Sequence, residues 1–159
     1  MQRIGLGFDS HRFAPGRPLV LGGVHIEGEP GLAGHSDADA ALHALTDAIL
    51  GALAAGDIGE HFPDTDPRWA GADSRTFLTE AMRLVRERHL RVANCDLTIV
   101  AEKPRLSRHK GPIAARIAEL LGVPADCVSV KAKTAEQMGA IGRGQGIMAL
   151  AAVLLTDEQ

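Results

Sequence analysis

This chain has very few aromatic side chains from which to build a core: Phe, Trp and Tyr together make up 3% of its 159 residues, and tyrosine is absent. The interior must therefore be packed with Ala, Leu, Val and Ile. That composition is ordinary for a globular chain of mixed helix and strand, and it leaves little aromatic surface on which bases could stack. At this length a single domain, 1–159, is the expectation, able to bury roughly two-thirds of the surface the unfolded chain exposes.

Charge narrows the partners. The 17 basic and 20 acidic residues give a net charge of −3 without a run of either sign, so no electrostatic footprint for nucleic acid is present. The first nine residues lack the apolar stretch of a signal peptide, and the longest apolar run, 147–155, is too short to span a bilayer. Cys95 and Cys127 lie far apart without a CxxC spacing, which suits a reducing compartment. A cytoplasmic chain with no nucleic-acid or membrane partner is expected.

Residue patterning predicts strands over 4–13 and 19–26, then an acid- and glycine-rich loop over 27–34. Ser36, three residues before Asp39, resembles a capping box with Asp in place of Glu or Gln, so a helix is expected to start there and run to about residue 55. Leu42, Leu45, Ile49, Ala52 and Leu53 repeat at helical spacing, which leaves Asp39, His43 and Asp47 on a separate polar stripe. A long loop over 56–73 follows, of a length usually functional or mobile. Beyond it come a helix over 74–89, a strand over 92–102, a helix over 110–121 and an alternating strand over 127–134. A glycine-rich connection over 139–146 and a fully buried strand over 147–155 complete the chain. This order implies an α+β fold with helices packed on one mixed sheet.

Residues two apart on a strand share a face, so Asp9 and His11 aim a carboxylate and an imidazole at one point. His43 on the helix would complete three protein ligands and leave a fourth position open, the pattern of catalytic rather than structural zinc. Asp47, one turn on, is placed to bond the other nitrogen of that imidazole or a nearby group. Spacing alone leaves open that His11 is a polar strand-edge residue and His43 a helix-surface one. Other clusters supply what a phosphate ester needs. His35 and Ser36 precede a helix N-terminus, where free N–H groups favour anions. Asp57, Gly59, Asp64 and Asp66 put carboxylates and a closely approachable glycine in one loop, although such residues also make ordinary turns. The segment 131–136 ends a strand with two lysines, Thr134 and Glu136, whose carboxylate could hold Mg²⁺ on phosphate oxygens. The run Gly142-Arg143-Gly144 lacks the Lys-Ser/Thr ending of a P-loop.

Taken together, Gly7-Phe8-Asp9-Ser10-His11, His35-Ser36-Asp37-Ala38-Asp39, Ala41-Leu42-His43-Ala44-Leu45-Thr46-Asp47, Gly56-Asp57-Ile58-Gly59, Phe62-Pro63-Asp64-Thr65-Asp66-Pro67, Gly71-Ala72-Asp73-Ser74 and Gly142-Arg143-Gly144 resemble the 2-C-methyl-D-erythritol 2,4-cyclodiphosphate synthases over nearly the whole chain. The resemblance implies a homotrimer with active sites between subunits, acting on a cytidine diphosphate substrate in non-mevalonate isoprenoid synthesis. It implies Zn²⁺ on Asp9, His11 and His43, and Mg²⁺ or Mn²⁺ between Glu136 and the substrate diphosphate. His35 and Thr134 match positions that stabilise the transition state. Asp57, Gly59, Asp64 and Ser74 match the methylerythritol phosphate side, and Ser36, Asp47, Ile58, Phe62, Asp66 and Arg143 are expected substrate contacts. Ala101, Pro104, Arg105, Leu106, Ser107, Ala132 and Lys133 match a cytidine pocket lent by the adjacent subunit. Ala140 and Gln145 depart from the Phe and Glu common near the trimer axis. Two other readings are a non-catalytic trimeric protein that binds metal or isoprenoid, and a zinc phosphohydrolase.

Overall fold

The computed structural model describes residues 1–158. Five strands form one sheet in the order β2-β1-β5-β3-β4, namely β1 (Gln2–Leu21), β2 (Val24–Leu32), β3 (Leu90–Val100), β4 (Val128–Lys133) and β5 (Gly146–Asp157). Among the described residues only β3 and β4 pair in parallel, and α4 (Lys110–Leu121) supplies the crossover that a parallel pair requires. The α+β architecture with a mixed sheet is thus the one observed.

Glycines set the path of β1. Its first part, to Arg12, pairs with β5, and from Phe13 it pairs with β2, with register shifts on either side of Pro18. The residues 19–26, expected as one strand, instead fold over at Gly22-Gly23. Both take positive φ, +61° and +75°, as the tightest hairpin turns demand and only glycine adopts freely. The expected loop over 27–34 is consequently mostly strand.

Helix α1 (Ala40–Ala52) starts later than expected, because Asp39 and not Ser36 caps it. The buried Asp39 carboxylate accepts Leu42 N–H at 3.0 Å and also the Gly22 and Gly23 amides at 2.9 and 2.7 Å, tying the hairpin turn to the helix. Burial pushes its pKa up to about 6, against the pull of those three amides.

The helix lies directly on β1. A Cβ placed at Gly5 or Gly7 would collide with the Ala48 or Ala44 carbonyl oxygen, so the helix backbone rests where side chains would otherwise stand. Two strand residues rise about 6.8 Å and four helical residues about 6.0 Å, so the contacts Gly5 to Ala48 and Gly7 to Ala44 stay in step. Continuing that ladder brings the first turn of α1, with His43, beside Asp9.

The 56–73 segment is less irregular than expected. It contains the one-turn α2 (Ile58–His61), capped by Asp57, and a 3₁₀ turn, Pro67–Trp69, capped by Asp66. Helix α3 (Arg75–Glu87) follows, and a short α5 (Gly139–Gly142) interrupts the glycine-rich connection. The last strand is not fully buried: Ile147, Ala149, Ala151, Val153 and Leu155 face the core, whereas Leu150 is 45% exposed. The physical reason is that helices cover one face of the sheet only. On the other face Ile4, Leu6 and Phe8 of β1 stand 73, 77 and 53% exposed beside it. Among the described residues no helix is long and apolar enough to cross a membrane.

Candidate active site

Because Gly5 and Gly7 face α1, so do Asp9 and His11, two and four residues further along the same strand face. His43 meets them from the helix. Asp9 Oδ2 lies 2.7 Å from His11 Nε2 and 3.1 Å from His43 Nδ1, and the two imidazole nitrogens are 3.3 Å apart. Among the described residues these three form the cluster able to hold a metal ion. The spacings approach the roughly 3.3 Å edge of a tetrahedron whose corners lie about 2.0–2.1 Å from its centre, as zinc ligands do.

Hydrogen bonds on the far side of each ring orient the lone pairs. His11 Nδ1 is 2.6 Å from the Ala33 carbonyl, which can only accept, so Nδ1 carries the hydrogen and Nε2 turns to Asp9 and His43. His43 Nε2 lies 2.7 Å from Ser74 Oγ and 3.2 Å from Ser36 Oγ, and its Nδ1 faces the cluster. Two imidazole nitrogens and a carboxylate oxygen thus converge, and a cation or a proton must sit among them. The donor set fits zinc. Burial by itself would raise the Asp9 pKa, but the hydrogen bonds and charges of His11 and His43 outweigh it and bring it down to about 2. For His11, burial works to lower the pKa, yet the bond and charge of Asp9 prevail and raise it.

The cluster opens into a cleft of about 430 Å³ lined by His11, His43, His35, Ser36, Ile58, Gly59, Phe62, Asp64, Trp69 and Phe77. Phe62, Trp69 and Phe77 pack with ring centroids 4.5–5.8 Å apart, and Phe77 lies 5.8 Å from His43. With four Phe and one Trp in the whole chain, the concentration of three aromatics on one wall marks the cleft as built. The 34–37 and 66–74 loops are stitched together behind it: His35 Nε2 meets Asp66 O at 3.0 Å, and the Gly71 and Asp37 amides bond His35 O and Ala72 O. Arg17, unremarkable in the sequence, donates to the carbonyls of Gly34 and Ser36 and holds that loop in place.

A second cleft, about 350 Å³, is lined by Ala101, Glu102, Pro104, Arg105, Leu106, Ser107, Ala132, Lys133 and Thr134. Ala101 N–H bonds the Lys133 carbonyl at 2.9 Å, and Glu102 accepts the Ala135 amide at 3.1 Å, so Glu102 joins the two segments that sequence spacing only suggested. Strand register puts both clefts at one end of the sheet: Ile147 pairs with His11, Met148 with Val100, and Val100 with Lys133. From β1 to β4 are three strand steps, about 14 Å. The two clefts share no lining residue.

Several expected contacts stand elsewhere. Asp47 does not bond His43; its Oδ1 accepts Ile58 N–H at 2.7 Å, because one helical turn carries it past the imidazole to the start of α2. The Asp57 and Asp66 carboxylates serve as caps. Ser74 is fully buried behind His43, not on the cleft wall. Glu136, in left-handed backbone at φ +50°, pairs with Thr134 Oγ1 at 3.1 Å outside the three-ligand cluster, and Arg143 is exposed beyond α5.

A sequence model of the YgbB family matches residues 2–156. The chain is 56% identical over 96% of its length to the 2-C-methyl-D-erythritol 2,4-cyclodiphosphate synthase of Cupriavidus metallidurans, of which it covers 91%. Among solved structures it is similar to a 2C-methyl-D-erythritol-2,4-cyclodiphosphate synthase in a CDP-bound form, with 45% identity, a TM-score of 0.89, and coverage of 97% of this chain and 100% of that one. It is likewise similar to the Plasmodium falciparum IspF in complex with CDP, at 34% identity and a TM-score of 0.86, over 99% of this chain and 97% of that one. The chain therefore belongs to the YgbB family, that of the 2-C-methyl-D-erythritol 2,4-cyclodiphosphate synthases.

Proposed function

We propose that residues 1–159 form one cyclodiphosphate synthase domain, a phosphorus–oxygen lyase of non-mevalonate isoprenoid synthesis acting in the cytoplasm. It converts 4-diphosphocytidyl-2-C-methyl-D-erythritol 2-phosphate to 2-C-methyl-D-erythritol 2,4-cyclodiphosphate and CMP. The observation that carries this reading is the convergence of Asp9, His11 and His43 at the floor of an aromatic-walled cleft, in a chain of this family.

An oxygen of the substrate's 2-phosphate attacks the β-phosphorus; the bond from that phosphorus to the bridging oxygen breaks, and its electron pair leaves with CMP. The nucleophile is already an anion, so no protein nucleophile or strong base is required. The chain's task is to hold anion against anion in line. Zn²⁺ on Asp9, His11 and His43, and Mg²⁺ or Mn²⁺ at Glu136, would supply positive charge to the phosphate oxygens. His35, Ser36, Ile58, Gly59, Phe62 and Asp64 bind the methylerythritol phosphate half, and His35 and Thr134 donate to phosphate oxygens as charge shifts. The segments 101–107 and 132–134 bind cytidine through backbone groups, which suits a chain so poor in aromatics.

The same reading makes the protein a homotrimer, with the cytidine cleft of one subunit facing the metal cleft of the next. Ile4, Leu6, Phe8 and Leu150 support it as a contiguous apolar patch on the uncovered face of the sheet. Two tests follow. Purified protein given the diphosphocytidyl substrate should release one CMP per cyclic diphosphate in a metal-dependent manner, whereas linear monophosphates would point to a phosphohydrolase. By sedimentation, Leu6→Glu should give monomers without turnover; a trimer unaffected by that charge would sink the assembly.

A further inference from the structure

His43 is held from behind by a chain of hydrogen bonds. Its Nε2 lies 2.7 Å from Ser74 Oγ, and the Ser74 hydroxyl in turn reaches Asp37 Oδ1. Asp37 Oδ2 also accepts the Ser74 amide at 3.1 Å, and Oδ1 the Asp39 amide at 3.1 Å, so this carboxylate is locked by three donors. Ser74 is 0% exposed, which leaves its hydroxyl to the groups that surround it in the protein.

The direction of each bond follows from what each group can do. A carboxylate only accepts, so Ser74 must donate its single hydrogen to Asp37. Its oxygen is then free only to accept, and His43 Nε2 must be the donor. The proton of the neutral ring is thereby fixed on Nε2, and the Nδ1 lone pair is directed at Asp9 and His11. His11 reaches the same end more directly, through the Ala33 carbonyl.

We propose that Asp37 and Ser74 are positioning residues that set the tautomer and orientation of His43 for a divalent cation, a carboxylate–hydroxyl–imidazole relay. The inference rests on the reading of Asp9, His11 and His43 as a metal site, and it assigns Ser74 to that site's support and not to the substrate. Outer partners of this kind typically change metal affinity about 10–100-fold. Because Asp37 reaches the imidazole through the Ser74 hydroxyl, their effects on affinity should add to less than their sum.

Zn²⁺ and Co²⁺ affinities of the full chain, measured by chelator competition, test this for the wild type, Ser74→Ala, Asp37→Asn and the double variant, with circular dichroism as a check on folding. Each single variant should bind about 10–100-fold more weakly, and the double no more than about twofold worse than the weaker single. Two-bond ¹⁵N–¹H spectra of the chelated wild type need no variant, and should show His43 protonated at Nε2. Wild-type protein that takes up neither metal would refute the metal reading itself. If the wild type binds tightly while folded variants match it within twofold, or if His43 carries its proton on Nδ1, the relay is wrong and the metal site stands.

Discussion

Adding one methyl group at Gly7 should dismantle the metal cluster from a distance. A Cβ there would overlap the Ala44 carbonyl oxygen and come within 2.7 Å of the Ala48 nitrogen, where about 3.5 Å is comfortable. Both obstacles are backbone of α1, so no rotamer change relieves the clash; the helix must lift by well over about 1 Å or the strand must bend. Overpacking of this kind costs about 1–3 kcal/mol and occasionally more, and with two backbones in opposition we place Gly7→Ala at about 3 kcal/mol or above. His43 rides on that helix, and metal sites tolerate about 0.2 Å, so Zn²⁺ affinity should fall by about 100-fold or more. Gly51→Ala is the matched control. It lies on the same helix with its nearest neighbour, the Leu6 carbonyl oxygen, at 3.8 Å, and should stabilise by about 0.5–1 kcal/mol through helix propensity alone. Urea denaturation of chelated protein and zinc competition read the two quantities separately. If Gly7→Ala proves as harmless as Gly51→Ala, the glycine ladder does not position the site.

Other outcomes follow from the same geometry. Asp39→Ala removes a helix cap and leaves the Gly22 and Gly23 amides without their acceptor, so urea denaturation should show a loss of about 2–5 kcal/mol. His43→Ala should abolish turnover and stoichiometric zinc binding while leaving the far-ultraviolet circular dichroism unchanged, since the side chain caps nothing. The pH response has a definite sign in the metal-free protein. Asp9, lowered from 3.8 to about 2, contributes stability that is present above 3.8 and lost as pH falls through about 2. His11, raised above 6.5, contributes stability that is complete below 6.5 and lost as pH rises through its folded value. Both act together between about pH 4 and 6.5, and there a metal must displace the His11 proton, so zinc affinity should fall about tenfold per pH unit on acidification below the raised His11 value. Calorimetry in buffers of different ionisation enthalpy would show the released proton, and an affinity flat between pH 7.5 and 5.5 would contradict the assignment.

Much of this was legible in the sequence, for reasons that differ by element. Helix α4 was bounded correctly because Gly122 takes the left-handed φ of +67° that ends a helix and Pro124 follows closely. Strand alternation puts Asp9 and His11 on one face, but spacing alone leaves both imidazoles open as surface residues, and only the surrounding motifs and the family resemblance join His43 to them. The hairpin is hidden in the sequence although Gly22-Gly23 is a recognised turn pair, since Val20, Leu21, Val24 and Ile26 continue the β-favouring pattern across it. Ser36 looked like the cap, but the choice between Ser36 and Asp39 depended on the Gly22 and Gly23 amides, which arrive from another part of the chain. Helical spacing offers Asp47 either the His43 ring or a nearby group; it takes the Ile58 amide, and Ser74 stands behind the ring. Its role and that of Asp37 depend on two loops meeting, which no local pattern encodes. The exposed face of β5 is not encoded locally, because a continuous apolar run looks the same whether its second face is covered by this chain or left open.

The most direct test of the central claim is ³¹P NMR of 4-diphosphocytidyl-2-C-methyl-D-erythritol 2-phosphate incubated with the zinc-loaded full chain and Mg²⁺. The account predicts that CMP and the cyclic diphosphate appear in equal amounts, and that neither forms after chelation or with His43→Ala. Release of linear phosphates, or equal turnover by the chelated protein, would contradict it.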